Sequence, residues 1–131
     1  MSKPILCLDF DGVIHSYSSG WKGAEIIPDE PVPGAINFLR EAVKHFTVHI
    51  FSSRSHQLGG GEAMREWLGY WIMFEEPDII NFDPPWFASI VWPTEKPPAF
   101  LTIDDRAITF TGEWPSIESL KAFKPWNKKG S

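Results

Sequence analysis

Ile5-Leu6-Cys7-Leu8-Asp9-Phe10-Asp11-Gly12-Val13 is the stretch whose reading decides the fold. From Ile5 to Phe10 the chain is apolar at almost every position, the pattern of a strand covered on both faces in a parallel sheet. The run stops at an Asp-x-Asp-Gly turn, which sets two carboxylates at the strand's carboxyl end, where open α/β sheets hold their ligands. Neither carboxylate has a cation beside it in the sequence. A bound metal ion is the simplest way to keep both ionised together, and an enzyme is the leading reading of the segment.

Outward from this stretch, strand and helix patterns alternate. Val13 to Pro28 is turn-rich, with Ser16, Ser18, Ser19 and Gly20 between the apolar pairs Val13-Ile14 and Ile26-Ile27. That pattern predicts a small β-hairpin flap over the Asp-x-Asp edge. Pro33-Gly34 opens a helix in which Ile36, Leu39, Ala42 and Val43 recur at three- and four-residue spacing. Phe46 to Phe51 is a second strand ending at Ser52-Ser53-Arg54, and Gly59-Gly60-Gly61 leads into a helix with the apolar stripe Ala63, Met64, Trp67, Leu68 and Trp71. Residues 74 to 87 read as irregular, and Ala88 to Trp92 as a third strand. Phe100 to Ile103 forms a fourth strand ending at Asp104-Asp105. Ile108 to Phe110 is a short edge strand, and Ser116 is a good N-cap for a last helix through Ala122. The expected class is α/β: a three-layer α/β/α, Rossmann-like parallel sheet in one domain over residues 1–131.

Composition narrows the function classes. With 131 residues and 43% apolar content the chain can bury a core and is not of the disordered type. Its one cysteine, Cys7, lies inside the first apolar run and reads as a small buried residue; no internal disulfide forms, which points to a reducing, cytoplasmic setting. A formal charge of −5 disfavours broad electrostatic binding to nucleic acid or to an anionic membrane. Lys124, Lys128 and Lys129 read as a solvated tail. The start Met1-Ser2-Lys3-Pro4 does not resemble a signal peptide, and no apolar run approaches the ~20 residues of a membrane helix. Trp21, Trp86, Trp92, Trp114 and Trp126 fall outside the helical stripe; packing loops is the default reading, and lining a substrate groove or a subunit interface are the alternatives.

Three strand ends carry polar groups: Asp9 and Asp11, Ser52 and Ser53, Asp104 and Asp105. A parallel sheet brings all of them to one edge. Four converging carboxylates repel unless a hard cation joins them, and oxygen donors of this kind suit Mg²⁺ with a substrate phosphate. Lys96, just ahead of the fourth strand, supplies positive charge for an anionic substrate. A hydroxyl, a lysine and a carboxylate-held metal describe a phosphoryl site. Arg54 and His56, in a loop at the same edge, divide evenly between touching substrate and lying on the surface. His15 reads as solvated in the flap, His45 and His49 as structural, and Arg106 as able to pair with one of the two carboxylates before it.

This order of elements resembles the haloacid dehalogenase (HAD) superfamily of phosphatases and phosphotransferases. Asp9-Phe10-Asp11-Gly12-Val13, Ser52 at a strand end, Lys96, and Ile103-Asp104-Asp105 are similar to its four signature parts, spanning Ile5 to about Asp105. The resemblance implies Asp9 as the nucleophile forming an aspartyl-phosphate, and Asp11 as general acid and then base. It implies Ser52 and Lys96 as catalytic groups on the phosphoryl oxygens, with Ser52 preferred over Ser53. Ser52, Ser53, Arg54 and Lys96 form the candidate substrate-binding set. Mg²⁺ would be held by Asp9, the Asp11 carbonyl, Asp104 and Asp105. The short gaps between these parts imply a capless member. The leading expectation is therefore a Mg²⁺-dependent phosphomonoester phosphatase. Its rivals are a nucleic-acid end phosphatase, a catalytically silent binding module on the same fold, and a sugar-transferring enzyme with an Asp-x-Asp metal site.

Overall fold

Strand β1 (Ile5–Leu8) is the middle of the sheet, paired in parallel with β2 (Thr47–Ile50) on one side and β3 (Leu101–Ile103) on the other. The computed structural model describes residues 3–76 and 84–128. Leu6 sits opposite both Val48 and Leu101, and Leu8 opposite both Ile50 and Ile103, so the three strands end level with one another. Parallel neighbours need long connections; the link from β1 to β2 carries helix α1 (Ala35–Ala42), and the link from β2 to β3 carries α2 (Gly60–Glu75) and α3 (Pro85–Ala88).

The helices form where the apolar spacing allows them to cover the sheet. Ile36, Leu39 and Ala42 of α1 are buried, as are Met64, Trp67, Leu68 and Ile72 of α2 and Phe87 of α3. They join Leu6, Leu8, Phe10, Val48 and Ile50 in one apolar cluster. Each fully buried Leu or Ile there stabilises the fold by roughly 1.5–3 kcal/mol. Strand β3 differs: all three of its residues are exposed, and so is most of the chain after it. The α/β class and the parallel sheet are as the sequence pattern predicts.

Other expectations are revised. Residues 13–28 form no strand, so there is no β-hairpin flap. Instead the loop is pinned at its ends by Ser16 N–H to Glu30 O (3.0 Å) and Val32 N–H to Ile14 O (2.8 Å). The Asp29 carboxylate accepts from Ser19 N–H (2.8 Å) and Ser19 Oγ (2.6 Å), giving the loop backbone a partner that competes with ladder pairing. The strand expected over Ala88–Trp92 shrinks to Val91, which bridges β2 through Val91 N–H to Val48 O (2.9 Å) and Ile50 N–H to Val91 O (3.0 Å). Pro85, with its preset φ at the first helical position, starts α3 in its place, and Pro93 cannot donate to continue the ladder. Phe74 and Glu75 complete α2, while residues 77–83 of the stretch expected to be irregular lie outside the described residues, as does Lys129. Ile108 to Phe110 is not a strand, because Arg106 N–H donates to Asp104 Oδ1 (2.8 Å) and turns the chain off the sheet. The last helix, α4 (Ile117–Lys121), is capped as expected, with Ser116 Oγ accepting from Ser119 N–H at 3.1 Å. Among the described residues no helix is long and apolar enough to cross a membrane.

Candidate active site

Because β1 and β3 end level, the residues just past them are neighbours. Asp9 N–H continues the ladder to Ile103 O at 3.0 Å, which sets Asp9 beside Asp104. Carboxylate oxygens of Asp9, Asp104 and Asp105 lie within 4.8 Å of one another. Burial, the hydrogen bond with Asp105 and the negative charge of Asp104 together push the Asp9 carboxyl up to about 8. Asp105 Oδ1 is buried with no hydrogen-bond partner among the described residues. Gly12 makes this approach possible. Its φ of +84° disfavours a side chain, and a Cβ there would run into the Asp105 carboxylate.

Two cavities open beside these carboxylates. One, of about 160 Å³, is lined by Cys7, Asp9, Phe51, Ser52, Ser53, Lys96, Thr102 and Asp104. Lys96, on the connector before β3, thus lines the same cavity as Asp9 and Asp104. The other, of about 360 Å³, is lined by Asp9, Asp11, Tyr17, Ser53, Asp104, Asp105 and Arg106. Ser53 borders both. The Ser52 hydroxyl, by contrast, is buried, accepts from Arg54 N–H (3.0 Å) and donates to Met64 Sδ (3.5 Å). Ser53 is therefore the hydroxyl better placed for a ligand, although Ser52 directly follows the apolar run Val48 to Phe51. A larger cavity of about 790 Å³ between Ile108 and Leu120 holds a single carboxylate, Glu113, and none of this chemistry.

Asp11 faces a different set of partners from the metal-ligand group in which its residue type placed it. Its carboxylate accepts from Arg54 Nε at 3.0 and 3.2 Å and pairs with His15 Nδ1 at 2.9 Å. Arg54 is accordingly not a surface group, and its Nη2 is buried with no hydrogen-bond partner among the described residues. It is fully buried, with Nη1 donating to the carbonyls of Gly23 (2.8 Å), Ala24 (2.9 Å) and Ile26 (3.2 Å), and its guanidinium lies 4.7 Å from the Trp21 ring centre. A charge that deep requires such partners, and the loop from Gly23 to Ile26 curls around it to supply them. His15 is likewise fully buried rather than solvated. His56 stays exposed, and Arg106 meets Asp104 through its backbone N–H.

Tyr17, which the sequence did not mark, and Trp126, read there by default as a packing residue, border the site. Tyr17 lines the larger of the two site cavities from a left-handed backbone (φ 61°), a sparsely populated state for a bulky residue. Trp126 Nε1 donates to Gly12 O at 2.7 Å across 114 residues, and Asn127 Nδ2 donates to Ser16 O at 3.3 Å. The C-terminal turn Trp126–Lys128 is thereby tied to the Asp-x-Asp loop. No local signal marks either contact beyond the aromatic excess itself.

The donor set fits a cation. Three carboxylates within reach of one another, one of them with an orphaned buried oxygen, can hold a metal ion. Compared with protein-family models, curated proteins and solved structures, the chain matches none.

Proposed function

We propose that the chain is a Mg²⁺-dependent phosphomonoester phosphatase of the HAD type, working through an aspartyl-phosphate on Asp9. The observation that carries this reading is the meeting of Asp9, Asp104, Lys96 and Ser53 around one cavity of about 160 Å³. Nucleophile, anion-binding cation and hydroxyl there share a space large enough for a phosphoryl group. The three-layer sheet arrangement, the absence of a large cap and a cytoplasmic setting belong to the same proposal.

Asp9 attacks phosphorus through a carboxylate oxygen as the bond to the leaving oxygen breaks, and Asp11 gives that oxygen a proton. In the second half Asp11 takes a proton from water, whose oxygen displaces the Asp9 carboxylate from phosphorus. Lys96 balances charge on the phosphoryl oxygens, with Ser53 donating to them. Mg²⁺ held by Asp9, Asp104 and Asp105 would offset the negative charge where carboxylates and phosphate meet. Positioning and electrostatics carry most of the catalysis in such a site.

The test is phosphate release from a panel of phosphomonoesters with and without Mg²⁺. Turnover that needs Mg²⁺ and vanishes in Asp9→Asn is expected. No release across the panel, or full activity in Asp9→Asn, overturns the reading. Including a 3′-phosphorylated oligonucleotide beside a mononucleotide separates a nucleic-acid end phosphatase from an enzyme of small esters.

A further inference from the structure

The Asp11 carboxylate is held at the end of a buried relay that no step described above uses. Trp67 of α2 donates through Nε1 to Asp29 O at 3.0 Å, fixing the far end of the 13–28 loop. Asp29 N–H then points at His15 Nε2, 3.2 Å away, and His15 Nδ1 lies 2.9 Å from Asp11 Oδ1. The imidazole has no freedom to turn. It is fully buried and packed by Phe10, Trp67 and Tyr17, with ring centres 5.6, 5.4 and 5.9 Å away.

The relay sets the tautomer. A backbone N–H can only donate, so Nε2 must accept from Asp29 and the ring proton sits on Nδ1, facing Asp11. Asp29 Oδ2 also approaches Nε2, but at 3.5 Å it is the more distant partner, and it is already engaged by Ser19 N–H. Arg54 Nε approaches both oxygens of the same carboxylate. The Nδ1–H of His15 on Oδ1 and the one Arg54 Nε–H shared between both oxygens stop the carboxylate rotating and leave lone-pair capacity toward the cavity it lines with Asp9.

We propose that His15, locked as its Nδ1–H tautomer by Asp29 N–H, is a positioning residue that orients the Asp11 carboxylate for proton transfer to the leaving group. This rests on the phosphatase reading, since the proton Asp11 moves is the one the departing alkoxide needs. An aryl oxygen that leaves readily as an anion needs little such help, whereas an alkyl oxygen needs it strongly.

Two measurements test the proposal, one of them without turnover. Long-range ¹H–¹⁵N correlation of the histidine rings in the unaltered protein is expected to give His15 a protonated Nδ1 and a bare Nε2; a protonated Nε2 overturns the assignment whatever the activity. The second compares kcat/KM, which reports the steps up to leaving-group release, for p-nitrophenyl phosphate and an alkyl phosphomonoester. His15→Gln, whose amide lies nearer the Nε2 position, should lose about 10–100-fold on the alkyl ester and little on the aryl one. His15→Asn, whose amide can occupy the Nδ1 position, should recover most of the loss. Equal losses on both esters, or in both variants, mark a merely structural histidine and overturn the proposal. No turnover of either ester by the unaltered chain overturns the phosphatase reading itself, and the assigned role falls with it.

Discussion

Arg54 Nε donates to both carboxylate oxygens of Asp11, at 3.0 and 3.2 Å, from 43 residues along the chain. The pair joins the loop after β2 to the loop after β1 beneath the site, and Nη1 ties three carbonyls of a third segment to it. The guanidinium shields nothing from solvent by chance; it is fully buried and its partner's side chain only 13% exposed.

Removing this cation should therefore cost stability. Arg54→Met strands a buried carboxylate and three carbonyls, and breaking such a pair on one side costs about 3–5 kcal/mol. Arg54→Lys should rescue little, because a single ammonium cannot serve Asp11 and the loop carbonyls together. Urea unfolding measures both. Adding Asp11→Asn to Arg54→Met should recover part of the loss; a single variant as stable as the parent would show the pair to be energetically idle.

The raised Asp9 carboxyl makes stability pH-dependent in the metal-free protein. The unfolded chain gives up this proton near 3.8, while the folded chain keeps it to about 8. Between those values the folded state binds more protons, so stability falls as pH rises through the window. The melting temperature in EDTA should drop steadily from pH 5 to pH 8, and Asp9→Asn should flatten that slope. A flat profile for the unaltered protein would mean that the three carboxylates do not interact as their spacing implies.

Mg²⁺ should reverse that loss. A ligand bound only by the folded state at about 100 times its Kd adds about 2.7 kcal/mol. At pH 8 the melting temperature should rise with Mg²⁺ concentration, and Asp104→Asn or Asp105→Asn should weaken the rise. An unchanged melting temperature at saturating millimolar Mg²⁺ would remove the case for a resident cation.

Gly12→Ala attacks the site through the backbone. Left-handed φ at a residue bearing a Cβ costs about 1–3 kcal/mol, and the new methyl displaces the Asp105 carboxylate. Mg²⁺ affinity, measured by thermal shift or calorimetry, should fall more than overall stability does. Unaltered affinity would show that Asp105 is free to move aside.

Much of the fold was legible because the signals are local. Ile5–Leu8 is apolar throughout, Val48 and Ile50 alternate with Thr47 and His49 in β2, and the α1 and α2 stripes repeat at helical spacing, so their burial is written into neighbouring residues. The flap was not legible. Its turn residues lie between apolar pairs as in a hairpin, but Asp29 and Ser19 offer the backbone other bonds, and Arg54 claims its carbonyls. Ser52 against Ser53 was a choice of which side chain points inward, and a strand end one residue longer or shorter reverses it.

The sequence by itself determined the α/β pattern and the convergence of Asp9 with Asp104 and Asp105, because parallel strands that start together deliver their carboxyl ends to one edge. Only the tertiary structure decided what Asp11, His15 and Arg54 do. A buried charge takes its meaning from partners that compensate it, and here those partners lie on segments far apart in the chain, so no window of sequence contains the interaction.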